Sequence, residues 1–449
     1  MLNLKLNQNR QFVKCSQKAE LYVSLELSPD ESTQLLQKSH HVALAIDCSY
    51  SMDDQPLANA KDAAIQAAKM LQPNDFVSIV AFSDEAIVML SQSPAHNENI
   101  ENVIRQLKVV GGTDLYGGMS KGFDLLQQTA DPNTINKLIL LTDGLPNGEK
   151  SEDDDFKELA TKMRTAGVTI DVDGIGIGYN EKLTKLIAEY GGGKWYHIED
   201  STQLAKTVTV QITELEKTVI TNPQLELRMM DGAKVLDASI TKPVNEQIDL
   251  KQHQNTDEKI TFGLKDVIKD QSQVIAMKIA VPPIQSTQSL ITAVVMEGNQ
   301  EISNTTAEIS CSDDPKQLIE VDPSPRVLLQ ISEATELAAE GKTELLETVL
   351  GTLTPEEKTH LSEDASKTVV DAEKLSGKNV DEMSEAEKKQ FRHDATVIGQ
   401  SSSPNTDSAA QIPVPKSEDV CTNCNATLKP NSKFCSKCGT AINNQEESN

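Results

Sequence analysis

Val42-Ala43-Leu44-Ala45-Ile46 is a continuous apolar run, and Asp47-Cys48-Ser49-Tyr50-Ser51-Met52 follows it without a gap. An apolar run with no polar alternation is the pattern of a strand buried on both faces, as in a parallel sheet covered by helices. The residues downstream fit that reading. Ala60, Ala64, Ala67, Ala68 and Leu71 have helical spacing, and Phe76–Phe82 is a second strand. Helices are expected at Ile100–Leu107 and Gly118–Gln128, then a short apolar strand at Leu138–Leu141. Phe156–Ala166, Glu181–Tyr190 and Thr202–Glu216 read as helices, with strands at Val168–Gly176 and Lys194–Ile198 between them. Strand and helix alternate throughout, which predicts an α/β fold: a mostly parallel, Rossmann-like sheet with helices on both faces.

In such a sheet the loop after a strand lies at its C-terminal edge, where α/β folds bind ligands. Asp47, Ser49 and Ser51 sit in that loop. Gly111-Gly112-Thr113-Asp114 comes about sixty residues later, and its glycines permit a sharp turn that brings in the Thr113 hydroxyl. Leu140-Leu141-Thr142-Asp143-Gly144 then ends another buried strand with an acid. Carboxylates and hydroxyls are hard oxygen donors suited to Mg²⁺, Mn²⁺ or Ca²⁺. Each piece alone is common. Together, in order and each at a strand end, they form one motif.

These three pieces resemble the metal-ion-dependent adhesion site of von Willebrand factor type A domains, and the resemblance covers roughly residues 40–215. It implies that Ser49, Ser51 and Thr113 hold a divalent cation directly, with Asp47 and Asp143 acting largely through water. It also implies an open coordination position for a Glu or Asp carboxylate of a protein partner. Two positions depart from the family pattern. Tyr50 stands where Gly is usual, and Cys48 is read as a small buried side chain, because a thiolate suits softer metals. Asp53 and Asp54 are read as the start of the next helix.

Cys421-x-x-Cys424 and Cys435-x-x-Cys438 are separated by ten residues. Two such pairs can present four thiolates to one tetrahedral Zn²⁺. The segment resembles a zinc ribbon, and so short a piece needs a metal to fold. Lys429, Lys433 and Lys437 are offset by Glu418, Asp419, Glu446 and Glu447, with Phe434 the one aromatic. A protein-docking or structural role is therefore favoured over nucleic-acid contact.

The chain has 449 residues, a net charge of −26, 38% hydrophobic residues and 3% aromatics. The acidity disfavours nucleic acid and anionic membranes, which need clustered Lys and Arg. No run of about 18 apolar residues spans a membrane, and no signal-peptide core is evident. Outside the ribbon, Cys15, Cys48 and Cys311 are odd in number and far apart. That is read as no disulfide framework, a reducing compartment and a cytoplasmic protein.

The expected organisation is an N-terminal extension (1–39) with one strand at Ala19–Leu27, packing on a later β-sandwich. The von Willebrand-like domain (40–218) comes next, then the β-sandwich (219–322) with its period-two stretches. A helical region (323–399) follows, with capping boxes at Thr354/Glu357 and Ser384/Glu387. A flexible linker (400–417) leads to the ribbon (418–442). His40, His41 and His197 lack a nucleophile context, and no phosphate-binding loop is present. The expected function is a non-enzymatic, metal-dependent protein-interaction module. The rivals are a hydrolase using Asp47 and a nucleic-acid factor led by the ribbon.

Overall fold

The computed structural model describes residues 2–399 apart from 31, 34, 36, 37, 129–133, 257 and 258, with backbone alone at 252 and 254–256. A six-stranded sheet runs in the order Ala86–Pro94, Phe76–Phe82, Ser39–Asp47, Thr134–Thr142, Val168–Ile175, Gly192–Ile198. All neighbours are parallel except the edge strand Ala86–Pro94, which is antiparallel to Phe76–Phe82. Its alternate faces explain the apolar run at 42–46. Val42, Leu44 and Ile46 bury against helices Gln55–Met70 and Leu204–Glu216. Ala43 and Ala45 turn to the other side, toward Leu115–Gln127, Asp153–Thr165 and Glu181–Tyr190.

The chain enters at the central strand Ser39–Asp47, steps outward to Phe76–Phe82, then returns to Thr134–Thr142 on the other side. The order of strands therefore reverses between Ser39–Asp47 and Thr134–Thr142. Loops leaving the two strands diverge there and open a crevice at their C-terminal ends. Asp47 and Asp143 flank that crevice. The edge strand Ala86–Pro94 has no counterpart in the sequence reading. Ile87 and Val88 face solvent in it, so no burial pattern marks it.

The sandwich draws on both ends of this region. One sheet runs Leu2–Gln8, Ala19–Pro29, Gln273–Val281, Lys234–Lys242, Glu246–Gln247. The other runs Gln254–Thr256, Lys259–Gly263, Gln224–Met229, Gln288–Glu297, Gln300–Ser312, Phe12–Lys14. Leu21, Val23, Leu25 and Leu27 are fully buried between the sheets, with Leu225, Leu227, Ile275 and Met277. The first 38 residues thus supply three strands, not the one read from the sequence. Leu2, Leu4 and Leu6 do alternate with polar residues, but they are only half-buried at a sheet edge.

The reading of the cysteines is corrected. Cys15 and Cys311 form a disulfide across 296 residues of sequence, with their Cα atoms 4.8 Å apart. Strand Phe12–Lys14 lies parallel to the end of Gln300–Ser312, with Val13 opposite Cys311. Distance along the chain says nothing about distance across a sheet. The third thiol, Cys48, is buried and free. These cysteines therefore give no support to a reducing compartment. No helix of the described residues is long and apolar enough to cross a membrane.

Helices Ser324–Ala339, Thr343–Thr352, Pro355–Thr359, Glu363–Leu375 and Glu385–Thr396 form the helical region. Both expected capping boxes are made, Thr354 with Glu357 and Ser384 with Glu387. Leu328 and Leu329 seat the first helix on Val274 and Ala276 of the sandwich. The last helix reaches the α/β domain: the Lys389 ammonium donates to the Tyr179 carbonyl at 2.9 Å, and Arg392 pairs with Glu181 at 2.8 Å. Sandwich and α/β domain also meet directly, through Arg164 donating to the Leu264 carbonyl at 2.8 Å. The linker and Cys421, Cys424, Cys435 and Cys438 lie outside the described residues.

Candidate metal centre

Asp47 is the last residue of its strand and is fully buried. One carboxylate oxygen accepts the Ser49 backbone N–H at 2.9 Å, and the other accepts the Thr142 hydroxyl at 2.7 Å. These bonds fix the turn that follows. Tyr50–Met52 is a single 3-10 turn, anchored by the fully buried Met52. The turn sets the Ser49 and Ser51 hydroxyl oxygens 3.0 Å apart. Ser51 then donates to the Asp143 carboxylate at 2.6 Å. Two residues separated along one loop are thus joined to an acid from the neighbouring strand.

Thr113 arrives on a third loop. Its backbone N–H donates to the Asn147 side chain at 2.6 Å, and its carbonyl accepts the Asn147 N–H at 3.0 Å. Gly112 N–H donates to Asp84 at 2.6 Å, and the Gly111 carbonyl accepts the Tyr50 N–H at 3.1 Å. Gly144 closes the ring. A Cβ there would stand 2.9 Å from the Thr113 hydroxyl oxygen and 3.5 Å from that of Ser51. The absent side chain leaves room where the two hydroxyls converge. Asp47, Ser49, Ser51, Thr113 and Asp143 therefore meet at the crevice.

The electrostatics of the cluster are those of a place short of positive charge. Burial raises the Asp47 carboxyl above its usual range. Burial also pushes Asp143 up to about 6, and the Asp47 charge adds to the effect against the Ser51 hydrogen bond. Both acids find hydroxyl and backbone donors, which relieve a buried charge only in part. Two carboxylates and three neutral hydroxyls are a hard oxygen set, and they fit a divalent cation such as Mg²⁺ or Mn²⁺. Among the described residues no group of three or more His, Cys, Asp or Glu gathers as a metal site. Here the hydroxyls of Ser49, Ser51 and Thr113 gather beside two acids instead.

The neighbouring residues have plainer roles. Burial pushes the Cys48 thiol up to about 12, with the Asp47 charge adding to the effect, as for a small side chain packed in the core. Tyr50 points into solvent. Asp54 is the N-cap position of Gln55–Met70, although its side chain makes no capping bond. His41 bonds to the Ser78 hydroxyl at 2.8 Å, but both are fully buried and no substrate reaches them. His40 bonds to Asp75, and His197 to the Tyr179 hydroxyl at 2.8 Å.

Sequence reasoning missed the residues that hold the candidate site residues in place. Thr142 steadies Asp47, Asn147 clamps Thr113, and Asp84 ties down Gly112. Each lies in a loop or strand end at the same sheet edge. Adjacency to Asp143 was the available signal for Thr142. Asp84 and Asn147 carry none that separates them from ordinary turn residues.

Comparison with known proteins follows the same division of the chain. Residues 41–210 match the family described as von Willebrand factor type A domain, and residues 420–442 match the zinc-ribbon domain. The chain is 28% identical over 323 residues to the uncharacterized protein sll0103 of Synechocystis sp., spanning 69% of this chain and 74% of that one. It is 28% identical over 196 residues to YfbK of Escherichia coli, where the match covers 43% of this chain and only 34% of the relative. In structure it resembles a von Willebrand factor type A protein from Catenulispora acidiphila, at a TM-score of 0.71 and 18% identity. That likeness covers 88% of this chain and 96% of the other, and so extends the shared fold well beyond the α/β domain.

Proposed function

Residues 41–210 of this chain are a von Willebrand factor type A domain, and from that premise we propose a protein-interaction module that holds its partner through a divalent cation. The observation that carries the proposal is the meeting of Ser51, Thr113 and Asp143 around the bare Cα of Gly144, with Asp47 locked behind them. Ser49, Ser51 and Thr113 offer the cation direct oxygens, and Asp47 and Asp143 balance its charge. A cation ligated mainly by neutral hydroxyls keeps its Lewis acidity toward a carboxylate oxygen. The partner contributes that oxygen from a Glu or Asp.

Binding rather than hydrolysis is supported by the state of Asp47. It is fully buried and both its oxygens already accept hydrogen bonds, which suits a charge-balancing role better than nucleophilic attack. The test is partner capture by the full chain. Binding should vanish with chelator, and equally with Thr113→Ala, which removes one hydroxyl and adds no charge. Changing a single partner acid to its amide should do the same. Undiminished capture in chelator and by the Thr113 variant would end this reading.

We also propose that Cys421, Cys424, Cys435 and Cys438 hold a structural Zn²⁺, as the zinc-ribbon match supports. The full chain should carry about one tightly held zinc, and Cys424→Ser should release it. Elemental analysis after dialysis checks this. Equal zinc content in the variant would exclude the four-cysteine site.

A further inference from the structure

Four large apolar side chains stand exposed around the proposed cation site, each on a different loop. Tyr50 is 72% exposed, Val110 53%, Leu145 60% and Ile177 58%. Their places in the fold are fixed by the ligand loops. Tyr50 lies between Ser49 and Ser51. Val110 precedes Gly111, and its N–H donates to the Cys48 carbonyl at 2.7 Å. Leu145 follows Gly144. Ile177 precedes Gly178, where a Cβ would stand 2.8 Å from the Asp143 carbonyl oxygen. All four project at the C-terminal edge of the sheet, where the five oxygen-bearing residues converge.

Exposed large apolar residues scattered singly need no explanation, but four carried on neighbouring loops about one polar centre mark an interaction surface. Around these four the surface is acidic. Asp53, Asp54, Asp84, Asp114 and Glu149 lie on the same loops, against Lys108 and Lys150. The Lys150 ammonium is itself taken up by the Tyr116 hydroxyl at 3.1 Å. A partner rich in acids would be repelled at this rim, while one carboxylate can be drawn in by the cation.

Building on the metal-dependent reading above, we propose that the site selects a protein segment bearing one Asp or Glu flanked by apolar side chains, with neutral or basic surroundings. The flanking side chains pack on Tyr50, Val110, Leu145 and Ile177 and exclude water from the carboxylate contact. The single acid supplies metal dependence, and the apolar neighbours supply most of the selectivity.

The test immobilises the full chain with Mn²⁺, exposes it to a displayed library of random peptides and elutes with chelator. A triple variant Tyr50→Ser, Leu145→Ser, Ile177→Ser serves as the comparison. These side chains are exposed, so the variant should keep its melting temperature and its Mn²⁺ affinity. Eluted peptides should carry one acid with apolar residues within about two positions, and should bind the triple variant at least about tenfold more weakly. Eluted acidic peptides with polar flanks, bound equally by both proteins, would overturn the rim and leave the metal reading standing. Acid-free chelator-released peptides would overturn the carboxylate contact and the proposal with it, while released peptides that bind Thr113→Ala undiminished, or no chelator-released peptides at all, would overturn the metal reading and the rim together.

Discussion

Asp47→Asn should weaken Mn²⁺ binding by about a hundredfold and leave the fold intact. Groups that hold a metal's ligands in place are typically worth about 10–100-fold in affinity, and Asp47 also carries one of only two negative charges in the site. The substitution changes charge at nearly constant shape. The Asn carbonyl can still accept the Ser49 N–H, and the Thr142 hydroxyl can turn to accept from the amide, so both bonds to the loop survive. The strand itself is held by Val42, Leu44 and Ile46 on one face and Ala43 and Ala45 on the other, none of which touches the change. A buried charge above its usual ionisation range is removed, so the metal-free protein should melt at the same temperature or slightly higher. Calorimetric Mn²⁺ titration and thermal melting of the two proteins decide the matter. Unchanged affinity would place the cation elsewhere. A collapsed melting temperature would make the Asp47 charge part of the fold.

Loss of the Cys15–Cys311 bond should cost about 4–5 kcal/mol, near the upper end for one disulfide, because it closes so long a stretch of chain. The bond acts mainly on the unfolded state, whose freedom it removes. Strand Phe12–Lys14 meets Gln300–Ser312 over three residue pairs, too few to replace the bond. Reductant, or Cys15→Ser, should lower the melting temperature by about 10 °C for a unit of this size. The cysteine-linked peptide should also be found intact in an unreduced digest. Identical melting with and without reductant, and free alkylation of Cys15 in unreduced protein, would show that the two sulfurs are not joined.

What the sequence disclosed follows from where information is local. The run 42–46 can be read because burial on both faces demands five apolar residues in a row. Thr354/Glu357 and Ser384/Glu387 can be read because a capping box spans only four positions. Asp47 and Asp143 stand out because each lies at or just after the end of such a strand, whereas Thr113 comes from a loop between helices Asn99–Arg105 and Leu115–Gln127 and is marked only by the Gly-Gly-Thr turn before it. What stayed hidden depends on neighbours distant in sequence. Nothing near Cys15 points to Cys311. Leu2–Gln8 alternates apolar and polar residues, but it is short and only half-buried at the edge of Ala19–Pro29. The edge strand Ala86–Pro94 buries too little to need a pattern. Asn147 and Asp84 bond to backbone that only the folded loops bring near. The apolar rim escaped for the opposite reason: Tyr50, Val110, Leu145 and Ile177 look like ordinary core residues until the fold turns them outward.

The position of Ala19–Pro29 has a consequence for how the chain is made. One edge of this strand pairs with Leu2–Gln8, which is synthesised just before it. The other edge waits for Gln273–Val281, synthesised roughly 250 residues later. At about 5–20 residues per second, that delay is about 10–50 seconds. Throughout it, Leu21, Val23, Leu25 and Leu27 have no opposite sheet to bury against, and a strand edge is open to any passing chain. The α/β domain between them can meanwhile complete its own sheet and bring the waiting hairpin close to where its partner will emerge. Nascent chains halted before residue 273 should therefore recruit holding chaperones or aggregate, and those halted after residue 312 should not.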